Sequence, residues 1–187
     1  MNTMRLRRFL QDFSHLVTSA GNDEAALLVG GAPLLRTLIA HDDWLLDAFA
    51  RPSPDGYCQY LLYCDPEKRF SVVSFIWGPG QRTPIHDHTV WGMVGVLCGA
   101  ETSERFSRDP ATGLLLLEDT ETLHPGDINW ISPILGDIHR VANALPDQVS
   151  ISIHLYGADI GHIQRHRFDP VTGKETVFVS GYSNAQV

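Results

Sequence analysis

Long apolar runs are missing from this chain of 187 residues, and none approaches the ~20 residues that a membrane-crossing helix needs. The stretch from Met1 to Phe13 carries positive charge but no uninterrupted apolar segment of the secretory kind, because Gln11, Asp12 and then His15 break it. Cysteine is scarce. Cys58, Cys64 and Cys98 are odd in number and form no Cys-x-x-Cys pair, which argues against a disulfide framework and against a cysteine-built zinc site. Reduced thiols in a cytoplasmic protein fit better. Basic residues are few as well: 14 Lys and Arg against 22 Asp and Glu give a formal net charge of −8, the wrong sign for a nucleic-acid surface. The one basic cluster, Arg5, Arg7 and Arg8, reads as a solvated helix face. No repeat, low-complexity tract or linker divides the chain, so one domain over 1–187 is expected, with a helical segment at 1–52 and a β-rich unit at 53–187. Nothing in the sequence points to a nucleic-acid, membrane or protein partner.

What is present is an ordinary globular composition, 43% hydrophobic and 19% charged. Leu6, Phe9, Leu10, Phe13 and Val17 recur at helical spacing. Leu27, Leu28, Leu34, Leu35, Leu38 and Ile39 continue the pattern, with an interruption expected around Gly30–Pro33 and a short third helix over Trp44–Phe49. From Tyr57 onward the pattern changes to short alternating or apolar runs separated by turn residues, such as Gly78-Pro79-Gly80 and Pro125-Gly126. So many strands without intervening helices predict a mainly β fold, a sandwich or barrel, with the helices packed outside.

The sharpest local signal is Pro84-Ile85-His86-Asp87-His88. On a strand, residues i and i+2 share a face, so His86 and His88 would aim two imidazoles at one point. Two neutral nitrogens side by side suit a divalent transition metal. Asp87, alternating away, reads as a cap on the turn. The surroundings extend the pattern: Gly80 precedes His86, Gly99 closes the next strand, Pro125-Gly126-Asp127 turns into another, and His139 is followed by Asn143. This set is similar to the two-part signature of the cupin superfamily, and it implies a single double-stranded β-helix (jelly-roll) barrel with His139 as third ligand.

One position departs from that signature. Where it carries a metal-binding Glu, this chain has Gly92, and no nearby residue offers a carboxylate in its place. Three neutral imidazoles would leave a dipositive ion its full charge, which favours an anionic chelating substrate such as a thiolate. Three protein ligands with open positions read as a catalytic site rather than a structural one. Zinc and iron both remain open on ligand type alone.

A second pattern lies downstream in Ser152-Ile153-His154-Leu155-Tyr156. Strand alternation puts Ser152, His154 and Tyr156 on one face, with Ile151, Ile153 and Leu155 buried on the other. A hydroxyl, an imidazole and a phenol in file can pass hydrogen bonds along the row, or simply satisfy one another.

His-x-His, a third His, the absent Glu and the Ser-x-His-x-Tyr row together resemble the thiol dioxygenases of the cysteine dioxygenase family. The resemblance implies Fe(II) bound by His86, His88 and His139, dioxygen as co-substrate, and conversion of a small thiol carboxylate to its sulfinate. It implies a catalytic role for Ser152, His154 and Tyr156. Some members cross-link that Tyr to a Cys at the position of Gly92; glycine makes the link impossible here. Cysteine-specific members grip the substrate carboxylate with an Arg on the first barrel strand, where this chain has Gln59. The resemblance is therefore to a Gln-type branch associated with 3-mercaptopropionate, in which a later Arg supplies the charge: Arg165, with Arg167 as fallback. Two rivals stay open: a cysteine dioxygenase with another residue in place of the missing Arg, and a non-catalytic cupin that senses or stores a small ligand.

Overall fold

The computed structural model describes residues 3–184. Two antiparallel sheets and two N-terminal helices make up the fold. The helices are α1 (Thr3–Ala20) and α2 (Glu24–Ile39); the strands are β1 (Cys58–Cys64), β2 (Ser71–Trp77), β3 (Ile85–His86), β4 (Gly92–Cys98), β5 (Glu101–Arg108), β6 (Leu115–Leu123), β7 (Ile128–Ile131), β8 (His139–Asn143), β9 (Ser150–Tyr156), β10 (Arg165–Phe168) and β11 (Glu175–Phe178). One sheet runs β1-β2-β9-β4-β7, the other β11-β10-β3-β8-β5-β6. Mainly β with helices outside is thus the observed class. The sheets remain two separate ladders among the described residues and do not join into one closed hydrogen-bonded cylinder.

The first sheet is buried on both faces, so β2 and β9 are buried at every position. Alternation assigns the faces. Val72, Ile76, Ile151, Ile153 and Leu155 pack in one cluster with Phe13, Leu35 and Ile39 of the helices. Val73, Phe75, Trp77, Val94 and Tyr156 point the other way and cluster with Val141 of the second sheet. The polar row on β9 therefore lies in the space between the sheets.

Two expectations for the helical segment are corrected. α2 runs unbroken through Gly30, Gly31 and Pro33. The glycines permit close packing instead of a break. A Cβ on Gly31 would lie 2.5 Å from Met93 Cε and 2.8 Å from Phe13, and one on Gly30 would lie 2.9 Å from Leu16. Asp23 caps the helix, its carboxylate accepting from Ala26 N. The third helix reduces to a single 3-10 turn at Asp47–Phe49; Trp44 precedes it and is buried, its indole donating to Leu38 O at 2.9 Å.

Candidate metal centre

His86 and His139 are direct cross-strand partners, and His86 also stands opposite Arg167 on β10. Directly opposed residues on antiparallel strands project to the same side, so the β3/β8 pairing alone brings two imidazoles together. His88 arrives differently. β3 ends at His86, so strand alternation does not carry His88; a loop does. The Asp137 carboxylate fixes that loop by accepting from His88 N (3.0 Å) and Thr89 N (2.9 Å), while Thr89 takes a left-handed φ of 59°.

The result is a buried triad whose nitrogens all lie within 4.8 Å of one another. The His86 ring nitrogen Nδ1 sits 3.0 Å from Pro84 O, which fits a donated hydrogen bond and leaves Nε2 for a ligand. His88 Nε2 is buried without a hydrogen-bond partner among the described residues. A buried polar nitrogen left open is costly unless something binds it. Burial pushes the pKa of His86 and of His88 well below the ordinary histidine value, and neighbouring His139 adds to both; burial, then Arg165, lowers His139 to about 4. Neutral imidazoles are the form in which histidine ligates, so the donor set fits a divalent metal.

Beside the triad, Ser152 Oγ and His154 Nε2 are 2.8 Å apart, and His154 Nδ1 and Tyr156 Oη are 2.8 Å apart. The Tyr156 ring stacks on His88 with centroids 5.4 Å apart, so the row ends against the histidine triad. Burial raises the Tyr156 pKa, which keeps the phenol protonated.

Sequence reasoning missed what continues the row inward. Trp77 Nε1 donates to Ser152 Oγ at 3.2 Å. Glu101, fully buried at the start of β5, accepts from Ser150 Oγ at 2.9 Å through one carboxyl oxygen, while the other has no partner among the described residues. Burial raises its pKa to about 7, against the lowering pull of Ser152, Ser150 and Trp77. The available signal was alternation on β5, which turns Glu101 and Ser103 inward.

On the other side of His86 lies a cavity of about 290 Å³, lined among others by Tyr57, Gln59, Phe75 and Arg165, with no acidic side chain among the described residues of its wall. Arg165 sits two residues before the partner of His86 and is 3% exposed; Arg167 is exposed. The Arg165 guanidinium lies 4.8 Å over the Phe178 ring and donates from Nη2 to Ser180 Oγ at 2.7 Å, while its Nε has no partner among the described residues. Gln59 is buried too, its amide donating to Ser180 Oγ (2.9 Å) and Gly181 O (2.7 Å). Asp87 is not a turn cap. Its carboxylate accepts from His166 N (2.7 Å) and meets His166 Nδ1 (2.7 Å), which fastens the His86–His88 segment to β10. Asn143 donates to Trp77 O (2.9 Å) and Gln148 O (2.7 Å), tying β8 to the first sheet.

Fold and site together define an antiparallel two-sheet protein with a buried three-histidine cluster able to hold a metal ion. The chain belongs to the cysteine dioxygenase type I family, whose pattern it matches over residues 40–170. The Rattus norvegicus and Mus musculus proteins named Cysteine dioxygenase type 1 are each 27% identical to it over 107 residues. That is 56% of this chain and 52% of theirs, so the chain spans about half the length of the curated relatives it matches. A solved Klebsiella pneumoniae protein, described as uncharacterized and conserved with a double-stranded beta-helix domain, superposes with a TM-score of 0.47 at 18% identity, over 70% of this chain and 91% of its own. No described helix is long and apolar enough to cross a membrane.

Proposed function

We propose that this protein is an Fe(II)-dependent thiol dioxygenase that adds both atoms of O2 to the sulfur of a small thiol carboxylate, R–S⁻ + O2 → R–SO2⁻, with 3-mercaptopropionate as substrate. His86, His88 and His139 would hold the iron. A ferrous ion there would supply a meeting place for a thiolate and dioxygen. Arg165 carries the substrate assignment. A guanidinium 3% exposed, with an unpartnered Nε and no ion pair among the described residues, is a buried cation that calls for an anion. A substrate carboxylate in the neighbouring cavity would satisfy it. L-Cysteine would also bring an ammonium group, and the described residues of the cavity wall offer it no carboxylate. This favours a thiol acid without an amino group.

The protein's own groups would then divide the work. Arg165, with Gln59 beside it, orients the carboxylate end. Tyr156, kept protonated by burial and backed by His154 and Ser152, holds or passes a proton at its hydroxyl next to the triad. The test is oxygen uptake by iron-loaded protein with 3-mercaptopropionate, L-cysteine and 2-mercaptoethanol in parallel. Arg165→Ala should lower kcat/KM for 3-mercaptopropionate by roughly tenfold to a hundredfold, the worth of a hydrogen bond to a charged group, and leave 2-mercaptoethanol little changed. No uptake with any thiol would identify a binding module instead, and a preference for L-cysteine would return the protein to the cysteine-specific activity.

A further inference from the structure

After β11 the chain runs along the wall of the 290 Å³ cavity as a strap, Val179–Asn184, that belongs to no helix or strand and lines the cavity through Val179, Ser180, Gly181 and Ser183. It is fastened at several points. Ser183 N donates to Gln59 O (2.7 Å) and Gln59 N donates to Ser183 Oγ (2.8 Å). Asn184 exchanges two 3.0 Å bonds with the Leu61 backbone, and Tyr182 Oη donates to Asp159 at 2.7 Å. The Ser183 and Asn184 bonds hold the strap against β1, and the Tyr182 bond ties it to the connection between β9 and β10.

Ser180 does something different. Its Oγ accepts from Gln59 Nε2 at 2.9 Å and from Arg165 Nη2 at 2.7 Å. Those two side chains come from different sheets, β1 and β10, and no hydrogen bond joins them directly among the described residues. A hydroxyl has two acceptor sites and one donor. With both acceptor sites filled, its remaining capacity is the O–H, in a residue that lines the cavity. Gln59 is further pinned by Gly181 O, so the yoke has one rigid end. Arg165 Nε is buried and has no hydrogen-bond partner among the described residues.

We infer that Ser180 is a positioning residue that sets carboxylate specificity: its hydroxyl yokes Gln59 to Arg165 and so makes one receptor from two sheets and a strap. This rests on the reading above that Gln59 and Arg165 receive the substrate carboxylate. Without the hydroxyl, Arg165 regains rotamer freedom, and each encounter with a carboxylate must order it anew. The loss belongs in binding and not in turnover.

The experiment compares wild type, Ser180→Ala, Ser180→Thr and Arg165→Ala, all iron-loaded, with 3-mercaptopropionate and 2-mercaptoethanol, alongside anaerobic calorimetry of 3-mercaptopropionate binding. Ser180→Ala should raise KM and the dissociation constant for 3-mercaptopropionate on the order of tenfold, with kcat within about twofold. Ser180→Thr, which keeps a hydroxyl, should restore most of the affinity. Constants for 2-mercaptoethanol should not move in either. Equal loss for both thiols, or failure of threonine to rescue, would make Ser180 a structural part of the strap and overturn the inference. A wild-type response in Ser180→Ala beside a large loss in Arg165→Ala would overturn it while leaving the carboxylate site standing. No change in Arg165→Ala would remove the receptor itself, and the yoke with it.

Discussion

Gly92 lies so close under Tyr156 that a Cβ there would come 2.9 Å from Tyr156 Cδ1 and 2.9 Å from Leu155 O. The two residues are register partners on β4 and β9. The glycine therefore sets where the tyrosine ring rests, and that ring is stacked on His88. A side chain at 92 has a backbone oxygen against it, which cannot rotate away. Gly92→Ala should cost roughly 1–3 kcal/mol of stability, the usual range for overpacking, and lower the melting temperature by several degrees. It should also slow turnover by displacing the phenol, with metal content unchanged. An alanine variant as stable and active as wild type would mean the β4/β9 contact is looser than it stands here.

The same contact bears on covalent chemistry. No sulfur is carried at position 92, so peptide mass spectrometry of active protein should find Tyr156 unmodified. A thioether from Tyr156 to Cys58, Cys64 or Cys98 would contradict the geometry, since Cys58 packs with the helix-side cluster while Tyr156 faces the other sheet.

Removing one imidazole should empty the metal site. His86→Ala leaves two nitrogens, too few for a stable site of this donor type, and elemental analysis should find iron reduced to background. Tyr156→Phe should behave in the opposite way. It removes a hydroxyl bonded to His154 but none of the three triad imidazoles, so iron should remain while kcat falls about a hundredfold or more, the lower end for a positioned proton-transfer group. Normal iron in His86→Ala would end the three-histidine assignment.

Much of the architecture was readable because it is written in short periods. Alternation along β9 put Ser152, His154 and Tyr156 on one face and the isoleucines on the other, and the structure has both faces buried. The His139-to-Asn143 spacing was readable as well, since β3 and β8 pair and His86 meets His139, whereas His88 joins them from a loop and not by the strand alternation expected of it. What escaped lies where periodicity says nothing. Gly30 and Gly31 look like helix breakers until α1 and β4 are seen to press against them. Asp137 positions His88 from a loop 49 residues away, and Ser180 joins Gln59 and Arg165 from a strap 121 and 15 residues distant. Such contacts depend on where the chain returns to, which no local pattern encodes.

Glu101 gives the last prediction, a pH dependence of stability. Its carboxyl is fully buried, one oxygen has no partner among the described residues, and its folded pKa is raised from 4.5 to about 7. The titratable side chains that register its charge are Cys98 and Tyr156. Burial raises the pKa of both, so both are neutral over the range considered. Ser150, Ser152 and Trp77, which pull its pKa down, and its register partners Leu123 and Asn143 carry no charge. A raised acid pKa means that the folded protein holds a proton which the unfolded chain has already lost. Stability from this group is therefore full below about pH 4.5, falls as pH rises toward 7, and stays low above it. At ~1.4 kcal/mol per pKa unit the whole change is on the order of a few kcal/mol. Glu101→Gln cannot ionise and lacks this slope. Its absolute stability depends on how well the new amide is paired, but the difference from wild type should shift in favour of the variant between pH 5 and pH 8. Urea unfolding of both proteins at the two pH values measures that shift, and groups common to the two cancel. A difference that stays constant across the range would mean Glu101 is already ionised in the folded protein, its charge met by hydrogen bonds from the Ser150 and Ser152 hydroxyls.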